Sequence, residues 1–208
     1  MSLRKTALVA ATAALSLASV GTASATTLNT DPGNVPFATG TVTFKNTSSG
    51  TATLTTALGN ITCTTAHVQA SANNNHAATL TGTLNQLTLT SCTDTIPLLT
   101  FSSCHLHGPT PGIRITSTDT TSGSVSIFDM TIRCGVTSGA ACYVTGASAN
   151  GVADNVDSTI SYTGVSVIRV TGTPVDDIGN LCPASGTFAM TLNHIVEVGT
   201  NRTVTITP

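Results

Sequence analysis

The feature of this sequence that most constrains its fold is an apolar alternation with a period of two. From Phe37 onward, apolar residues tend to recur at every second position, and no stretch of that region carries a convincing 3.6-residue apolar stripe. A period of two places alternate side chains on opposite faces of an extended strand. The longest unbroken run of one phase consists of Phe188, Met190, Leu192, His194 and Val196. The pattern predicts an all-β chain in which this last run faces the core.

Turn-forming residues divide the alternation into about ten short strands. In the clearest hairpin, Ala52, Leu54 and Leu58 face one way on the first strand, Gly59-Asn60 forms a two-residue turn, and Ile61 and Cys63 continue on the facing strand. Clusters of Gly, Pro, Asn, Asp and Ser predict further turns, including one over residues 146–157. Short strands of irregular spacing without helices favour two packed sheets, so we predict an antiparallel β-sandwich rather than a barrel.

Three of these strands change phase midway. The run of alternate apolar positions breaks between Leu84 and Leu87, at Ile127-Phe128 and at Val167-Ile168. A β-bulge adds one residue to a strand and would restore the facing of the apolar side chains at each break. We therefore predict a bulge at each of the three positions.

The N-terminus has the three parts of a Sec-type signal peptide. The basic pair Arg4-Lys5 precedes an apolar run from Ala7 to Val20, and Ala23-Ser24-Ala25 forms an A-x-A cleavage site. We predict that residues 1–25 form a helical signal peptide, that cleavage follows Ala25, and that residues 26–208 form a single domain. An apolar run of this length with these flanks indicates an export signal rather than a retained anchor, so we expect no membrane span in the mature chain.

Composition narrows the classes of partner. The predicted mature chain has five basic residues against nine acidic ones, a formal charge of −4, so it lacks the basic surface of a nucleic-acid-binding protein. The full sequence contains 43 Thr, no Trp and 8% charged residues. Threonine is β-branched, which suits a strand, and its hydroxyl keeps an outward face polar without charge. An aliphatic core with hydroxyl-rich outer faces is therefore expected.

All six cysteines follow the predicted cleavage site, at positions 63, 92, 104, 134, 142 and 182. Export would place them in an oxidising compartment, so we predict three disulfides in a chain that is extracellular or associated with the cell wall. Six cysteines allow fifteen pairings. The sequence has no C-x-x-C pair, so it lacks the spacing of a zinc ribbon or a thioredoxin-like site.

Four short segments carry a family resemblance: Leu58 to Cys63, Leu87 to Cys92, Cys142 to Gly146 and Leu181 to Ser185. Through them the chain resembles a family of uncharacterised secreted actinobacterial proteins with a Thr/Ser/Gly-rich β domain. The resemblance extends from about Gly40 to about Val198 and implies no activity or ligand. It implies the pairs Cys63 with Cys92 and Cys142 with Cys182, which leaves Cys104 with Cys134. Cys104 and Cys134 depart from the usual pattern of the family.

Two histidines are the candidate site residues. His105 and His107 share one face of an extended segment, where two imidazoles would bind a metal ion if a third ligand approached. His67, His76 or an aspartate of a loop would have to supply that ligand. Alternatively, both histidines are simply polar residues at the end of a strand, before the Gly108-Pro109 turn.

Other polar groups point to turns and packing rather than to chemistry. Asp154 and Asp157, and the pair Asp176-Asp177, match no calcium-loop spacing and are typical of turns. His194 is interpreted as a core or interface residue. A glycosidase needs two opposed carboxylates, but Glu197 is the only glutamate and the aspartates fall in predicted loops.

We therefore expect no catalytic residues and no cofactor. The leading hypothesis is a non-catalytic secreted or cell-envelope protein that recognises an unknown protein or envelope component. The alternative is a secreted hydrolase or metal-dependent enzyme that uses the His105/His107 region.

Overall fold

The structure, a computed structural model, describes residues 24–31, 33–170 and 176–208. Residues 1–23 of the predicted signal peptide lie outside the described residues, so its helix stays a prediction. Ser24 and Ala25 are exposed and irregular, whereas Thr26 is fully buried. The one helical segment in the described ranges is a 3-10 turn of three residues, and no helix there is long and apolar enough to cross a membrane.

The described chain is built almost entirely from strands, which confirms the all-β prediction. Twelve strands occur in these ranges: β1 (Thr27–Asp31), β2 (Val35–Pro36), β3 (Gly40–Thr56), β4 (Gly59–Asn74), β5 (Leu80–Asp94), β6 (Phe101–Leu106), β7 (Gly112–Ser117), β8 (Ser122–Val136), β9 (Ala141–Asp154), β10 (Thr159–Arg169), β11 (Ser185–Glu197) and β12 (Thr203–Thr207). The 3-10 turn, Gly179–Leu181, lies between β10 and β11. Six of the strands exceed twelve residues, so they are longer than the short strands expected.

The strands form one antiparallel sheet that closes on itself. The order runs from β3 through β4 and β5 to β8, with β6 and β7 end to end between β5 and β8, and continues through β9 and β10 to β11. Pairing of β11 with both β10 and β3 closes the ring. The result is a closed eight-stranded barrel rather than the two separate sheets of the predicted sandwich. Alternation fixes which face a residue takes, but strand order depends on pairings between distant parts of the chain.

The interior of the barrel is filled mainly by aliphatic side chains and cystine sulfur, together with the rings of Phe44, Phe101, Tyr162 and Phe188. Val125, Ile127, Met130 and Ile132 of β8 are all at least 97% buried and belong to one continuous apolar cluster. Burial of apolar area at this density is the main stabilising term for such a domain. The expectation of a core built with few aromatics is met.

Bulges bend the long strands around the core. In β5, Asn85 is an extra residue opposite the register shift between Gln69 and Ala70, which confirms the break predicted after Leu84. In β8 the inward phase changes one residue later than predicted, around Asp129, whose φ is 57°. A positive φ at a non-glycine residue is uncommon and marks a local change of strand direction.

Two other local predictions were wrong. The bulge of β10 lies between Tyr162 and Val165, because Gly164, with φ of 64°, turns the strand there rather than at Val167-Ile168. Residues 146–154, predicted as part of a turn, continue β9. Gly151 fits that strand since its Cα faces the ring of Tyr162, where a Cβ would lie 2.6 Å from a ring carbon.

The first hairpin is present, but its turn lies two residues earlier than predicted. Thr56 pairs with Gly59, so Ala57 and Leu58 form the turn. The Thr56 hydroxyl accepts a hydrogen bond from the Leu58 amide and donates one to the Gly59 carbonyl, at 3.2 and 2.7 Å. This side chain therefore stabilises a turn that its sequence alone does not favour.

The chain termini close one end of the barrel. β1 pairs with β12 over five positions, and β12 meets β11 at the Val196–Thr203 pair. Leu28 and Ile206 line a cavity of about 20 Å³ together with barrel residues such as Val125, so both terminal strands pack over the core. The Thr26 hydroxyl, one residue before β1, donates a hydrogen bond to the Ala78 carbonyl at 2.7 Å.

Three disulfides are present, and no cysteine is free. They join Cys63 to Cys92, Cys104 to Cys134 and Cys142 to Cys182, the pairs that the resemblance implies. The first two connect residues directly opposite each other on neighbouring strands. Three disulfides in one domain indicate an oxidising, extracellular environment.

Candidate functional site

The chemically versatile side chains converge on the outer face of β6, β8 and β9. Across these strands, Cys104 pairs with Cys134 and Cys134 with Cys142, and all three side chains belong to the apolar core. Because neighbouring residues of a strand point to opposite faces, the residues beside these cysteines point outward. The adjacent row is therefore His105, Arg133 and Tyr143, in which each residue pairs with the next.

Arg133 lies at the centre of this group. Its Nε donates hydrogen bonds to the Tyr143 hydroxyl and to Asp176 Oδ2, both at 3.1 Å, and its Nη2 also donates to Asp176 Oδ2. The Tyr143 hydroxyl donates to Asp176 Oδ1 at 2.8 Å. The three side chains thus form a closed hydrogen-bonded triangle that includes an ion pair with exposures of 23% and 31%.

Asp176 reaches this face because residues 176–182 lie beside the start of β9. The Ala141 amide donates to the Asp176 carbonyl at 2.7 Å, and the Ile178 amide donates to the Ala141 carbonyl at 3.1 Å. The Cys142–Cys182 disulfide fixes the other end of this segment to β9. Tyr143, although it points outward, is 98% buried beneath it.

The two predicted histidines border the triangle. The ring of His107 packs edge-on against the Tyr143 ring, with centroids 4.8 Å apart and an interplanar angle of 70°. His105 lies opposite Arg133 on the neighbouring strand. Both imidazoles are half-buried. We call the five residues His105, His107, Arg133, Tyr143 and Asp176 the outer cluster.

Burial and charge tune the ionisation of the outer cluster. Burial lowers the pKa of His105, and the positive charges of Arg133 and His107 lower it further. Hydrogen bonds from Arg133 and then Tyr143 hold the pKa of Asp176 below its usual value. Burial, followed by the hydrogen bond to Asp176, raises the pKa of Tyr143. At neutral pH the cluster therefore holds an ionised Arg133–Asp176 pair beside a mostly neutral His105.

The structure does not bring a third metal ligand to the histidine pair. Within residues 24–31, 33–170 and 176–208, the only group of three or more potential ligand atoms consists of the Cys63, Cys92 and Cys104 sulfurs, which lie within 4.8 Å of one another. All three sulfurs are in disulfides, so they offer no thiolate. His67 and His76 lie outside any such group.

The remaining candidates have local structural roles. Asp154 Oδ1 accepts hydrogen bonds from the amides of Val156 and Asp157, and Asp177 Oδ1 accepts one from the Gly179 amide, as expected for turns. Glu197 forms an ion pair with Arg202. The contacts of Asp154 and Asp177 agree with the turn interpretation, whereas Asp176 belongs to the outer cluster instead.

The interpretation of His194 as a core residue was wrong, and the alternative of an interface residue stays a prediction. His194 is exposed and has a φ of 50°, and Ile195 takes the inward position in its place. Sequence alternation alone did not reveal this local change of phase in β11.

Sequence reasoning identified His105 and His107 but missed Arg133, Tyr143 and Asp176 as their neighbours. A usable signal was present: Arg133 and Tyr143, like His105, each stand next to a cysteine. Cysteines that converge inside a barrel bring their sequence neighbours together outside it. Asp176 is not next to a cysteine, so the sequence gives no comparable signal for its place beside Tyr143.

Comparisons with protein-family models, with curated proteins and with solved structures found no match to this chain. Its candidate site is therefore defined by its own geometry: an ion pair, a buried tyrosine and two histidines on the outer face of a filled, disulfide-linked β-barrel.

Proposed function

We propose that this chain is a non-catalytic exported protein that recognises a protein or envelope component through the outer face of its barrel, at the outer cluster. The observation that carries the proposal is the filled interior. Two cavities lined by core residues of the described part of the barrel have volumes of only about 20 and 10 Å³. A single water molecule needs at least about 10 to 15 Å³ measured in this way, so these cavities hold no organic ligand. Binding must use the outside.

On the outer face of the barrel, the outer cluster is the best-supported binding surface. Charged residues make up only 8% of the sequence, yet two of them, Arg133 and Asp176, meet Tyr143 and the histidines His105 and His107 at one place. Disulfides hold the strands and the fold-back segment that carry these groups. A preorganised polar patch loses little conformational entropy when a partner binds.

Export is supported by the change in burial at the predicted cleavage site. Thr26 is fully buried, and its amide donates a hydrogen bond to the Ala77 carbonyl at 2.8 Å, whereas Ala25 is exposed. Cleavage after Ala25 would therefore leave the domain without a loose end. A signal peptide over residues 1–25 and location outside the cell or at the wall are parts of the proposal, as is kinship with the secreted actinobacterial family.

Fractionation tests the location. The protein is expected in the culture supernatant or in the wall fraction, with Thr26 as its N-terminal residue. Recovery from the cytoplasm alone would refute the proposal.

A paired-variant experiment tests the surface. Immobilised wild-type protein is incubated with envelope extract, and the proteins and glycans that it retains are compared with those of H105A/H107A. Loss of a specific component from this variant supports the proposal. The control H67A/H194A removes two exposed histidines elsewhere and should retain the component. Equal loss in both variants, or no specific component at all, argues against recognition through the outer cluster.

The second candidate function is a metal-dependent enzyme. Its support is that His105 and His107 lie two residues apart and are both half-buried beside the Arg133–Asp176 ion pair. Metal analysis of the purified protein separates the two proposals. Stoichiometric zinc or copper that is lost in H105A/H107A would favour the enzyme, and a metal-free protein would favour the non-catalytic function.

A further inference from the structure

Two disulfides lie against each other in the core. The sulfurs of Cys63 and Cys92, which are bonded together, and the sulfur of Cys104, which is bonded to Cys134, are all within 4.8 Å of one another. The strands explain this, since β4, β5 and β6 are neighbours and each directs a cysteine toward the interior. Thiol–disulfide exchange requires such an approach of a thiolate to a second disulfide.

One of the six cysteines is less buried than the other five. Cys92 is half-buried, whereas Cys63, Cys104, Cys134, Cys142 and Cys182 are all at least 96% buried. Ser91 has a φ of 53°, and this break in the alternation after Leu89 sets Cys92 opposite the buried Cys63. An external thiolate therefore reaches Cys92 before any other cysteine, because access limits the rate of attack.

We propose that Cys92 is an entry site for an extracellular dithiol and that Cys63 relays the exchange to Cys104. The thiolate of the dithiol attacks the Cys92 sulfur, which breaks the Cys63–Cys92 bond and releases Cys63 as a thiolate. The Cys63 thiolate attacks the Cys104 sulfur, which forms a Cys63–Cys104 bond and releases Cys134 as a thiolate. The second thiol of the dithiol then attacks its own mixed disulfide and releases Cys92.

The exchange balances in atoms and electrons. Two disulfides and one dithiol become one Cys63–Cys104 disulfide, the thiols of Cys92 and Cys134, and the oxidised cyclic form of the dithiol. The two protons of the dithiol pass to Cys92 and Cys134. The net change is a two-electron reduction of the protein in which the pairing of its sulfurs is altered.

The rearrangement has a consequence for the outer cluster. Opening of the Cys104–Cys134 bond removes the covalent link between the strands that carry His105 and Arg133. The relevance of this to binding rests on the proposed function, but the exchange itself does not. The disulfide exchange is measured by sulfur pairing, and the proposed function is measured by the partners that the protein retains. Failure of either proposal would therefore not refute the other.

Limited reduction of the folded wild-type protein tests the relay. The protein is treated with a small excess of dithiothreitol, quenched with acid, alkylated and mapped by mass spectrometry without further reduction. The expected early species has alkylated Cys92 and Cys134 and a peptide pair linked through Cys63 and Cys104. This species should make up most of the protein that has lost one disulfide.

Three results would overturn the relay. They are alkylation of Cys63 and Cys92 with the Cys104–Cys134 bond intact, alkylation of Cys104 and Cys134 with the Cys63–Cys92 bond intact, and loss of all bonds in a single step. The control variant C104S/C134S lacks the acceptor, so the same treatment should alkylate Cys63 and Cys92 together. The wild-type map decides the question even if this variant does not fold.

Discussion

Removal of the Cys104–Cys134 disulfide is the perturbation with the most definite expected cost. This bond joins β6 to β8 and closes a loop with a sequence separation of 30. In the chain-entropy model, a crosslink of that span stabilises the fold by about 3.6 kcal/mol at 25 °C, because it restricts the unfolded chain. The variant C104A/C134A should lose at least this free energy of unfolding, since both sulfurs are also buried. For a domain of this size the melting temperature should fall by roughly 7 to 14 °C.

Urea unfolding measures both the loss and its cause. An unfolded chain without this crosslink exposes more surface, so the dependence of the free energy on urea concentration should steepen in the variant. Packing loss alone would leave that slope unchanged. A loss of less than about 1.5 kcal/mol with an unchanged slope would refute the reasoning, because it would mean that the crosslink does not restrict the unfolded chain.

The same variant reports on the outer cluster. Cys104 and Cys134 fix the register in which His105 lies opposite Arg133. If their bond holds that register, its removal loosens the pair and the pKa of His105, measured by NMR titration, should rise toward its ordinary value. An unchanged pKa would show that backbone pairing alone positions the two side chains.

Three further outcomes are expected. Replacement G82A should destabilise the protein strongly, by more than about 2 kcal/mol in urea unfolding, because its Cβ would lie 1.9 Å from the Ser71 carbonyl oxygen. The control G112A has open space around the new Cβ and should change stability by less than about 0.5 kcal/mol. The pKa of His105 is lower in the folded protein than in the unfolded chain, so the unfolded chain binds this proton more tightly. The free energy of unfolding should therefore fall as pH drops from 7 through the folded-state pKa of His105, and it should fall less in H105Q. Hydrogen bonds from Thr121 lower the pKa of Asp119 to about 2. The contribution of the Asp119 carboxylate to the free energy of unfolding should therefore be lost as pH falls from about 4 to 2, and this loss should be absent from D119N.

The predicted facing of most side chains came from local pattern. In β8, Val125 and Ile127 share the phase that their spacing indicates, and both are buried. Local pattern failed where the backbone takes a positive φ. At His194 the change of phase brings Ile195 inward, and such a change depends on which strand the residue pairs with.

In the candidate site, too, local pattern predicts some contacts, and pairing between distant strands determines the others. His105 and His107 lie on one face because they are two residues apart in a strand, which the sequence shows directly. Arg133 lies opposite His105 because β6 pairs with β8. Asp176 contacts Tyr143 although the two residues are 33 positions apart in the sequence. Contacts between residues so distant along the chain leave no periodic signal in it.

The sequence by itself determined the class of structure: an extended chain with an aliphatic inner face, a threonine-rich outer face and six cysteines available for three bonds. These properties follow from the two-residue repeat of a strand and from the chemistry of each side chain, both of which are local. Tertiary structure alone decided that the sheet closes through the pairing of β10 with β11, that the interior is filled, and that an arginine, a tyrosine and an aspartate meet the two histidines. Closure and convergence depend on register between distant strands, which is selected by the packing of the whole core.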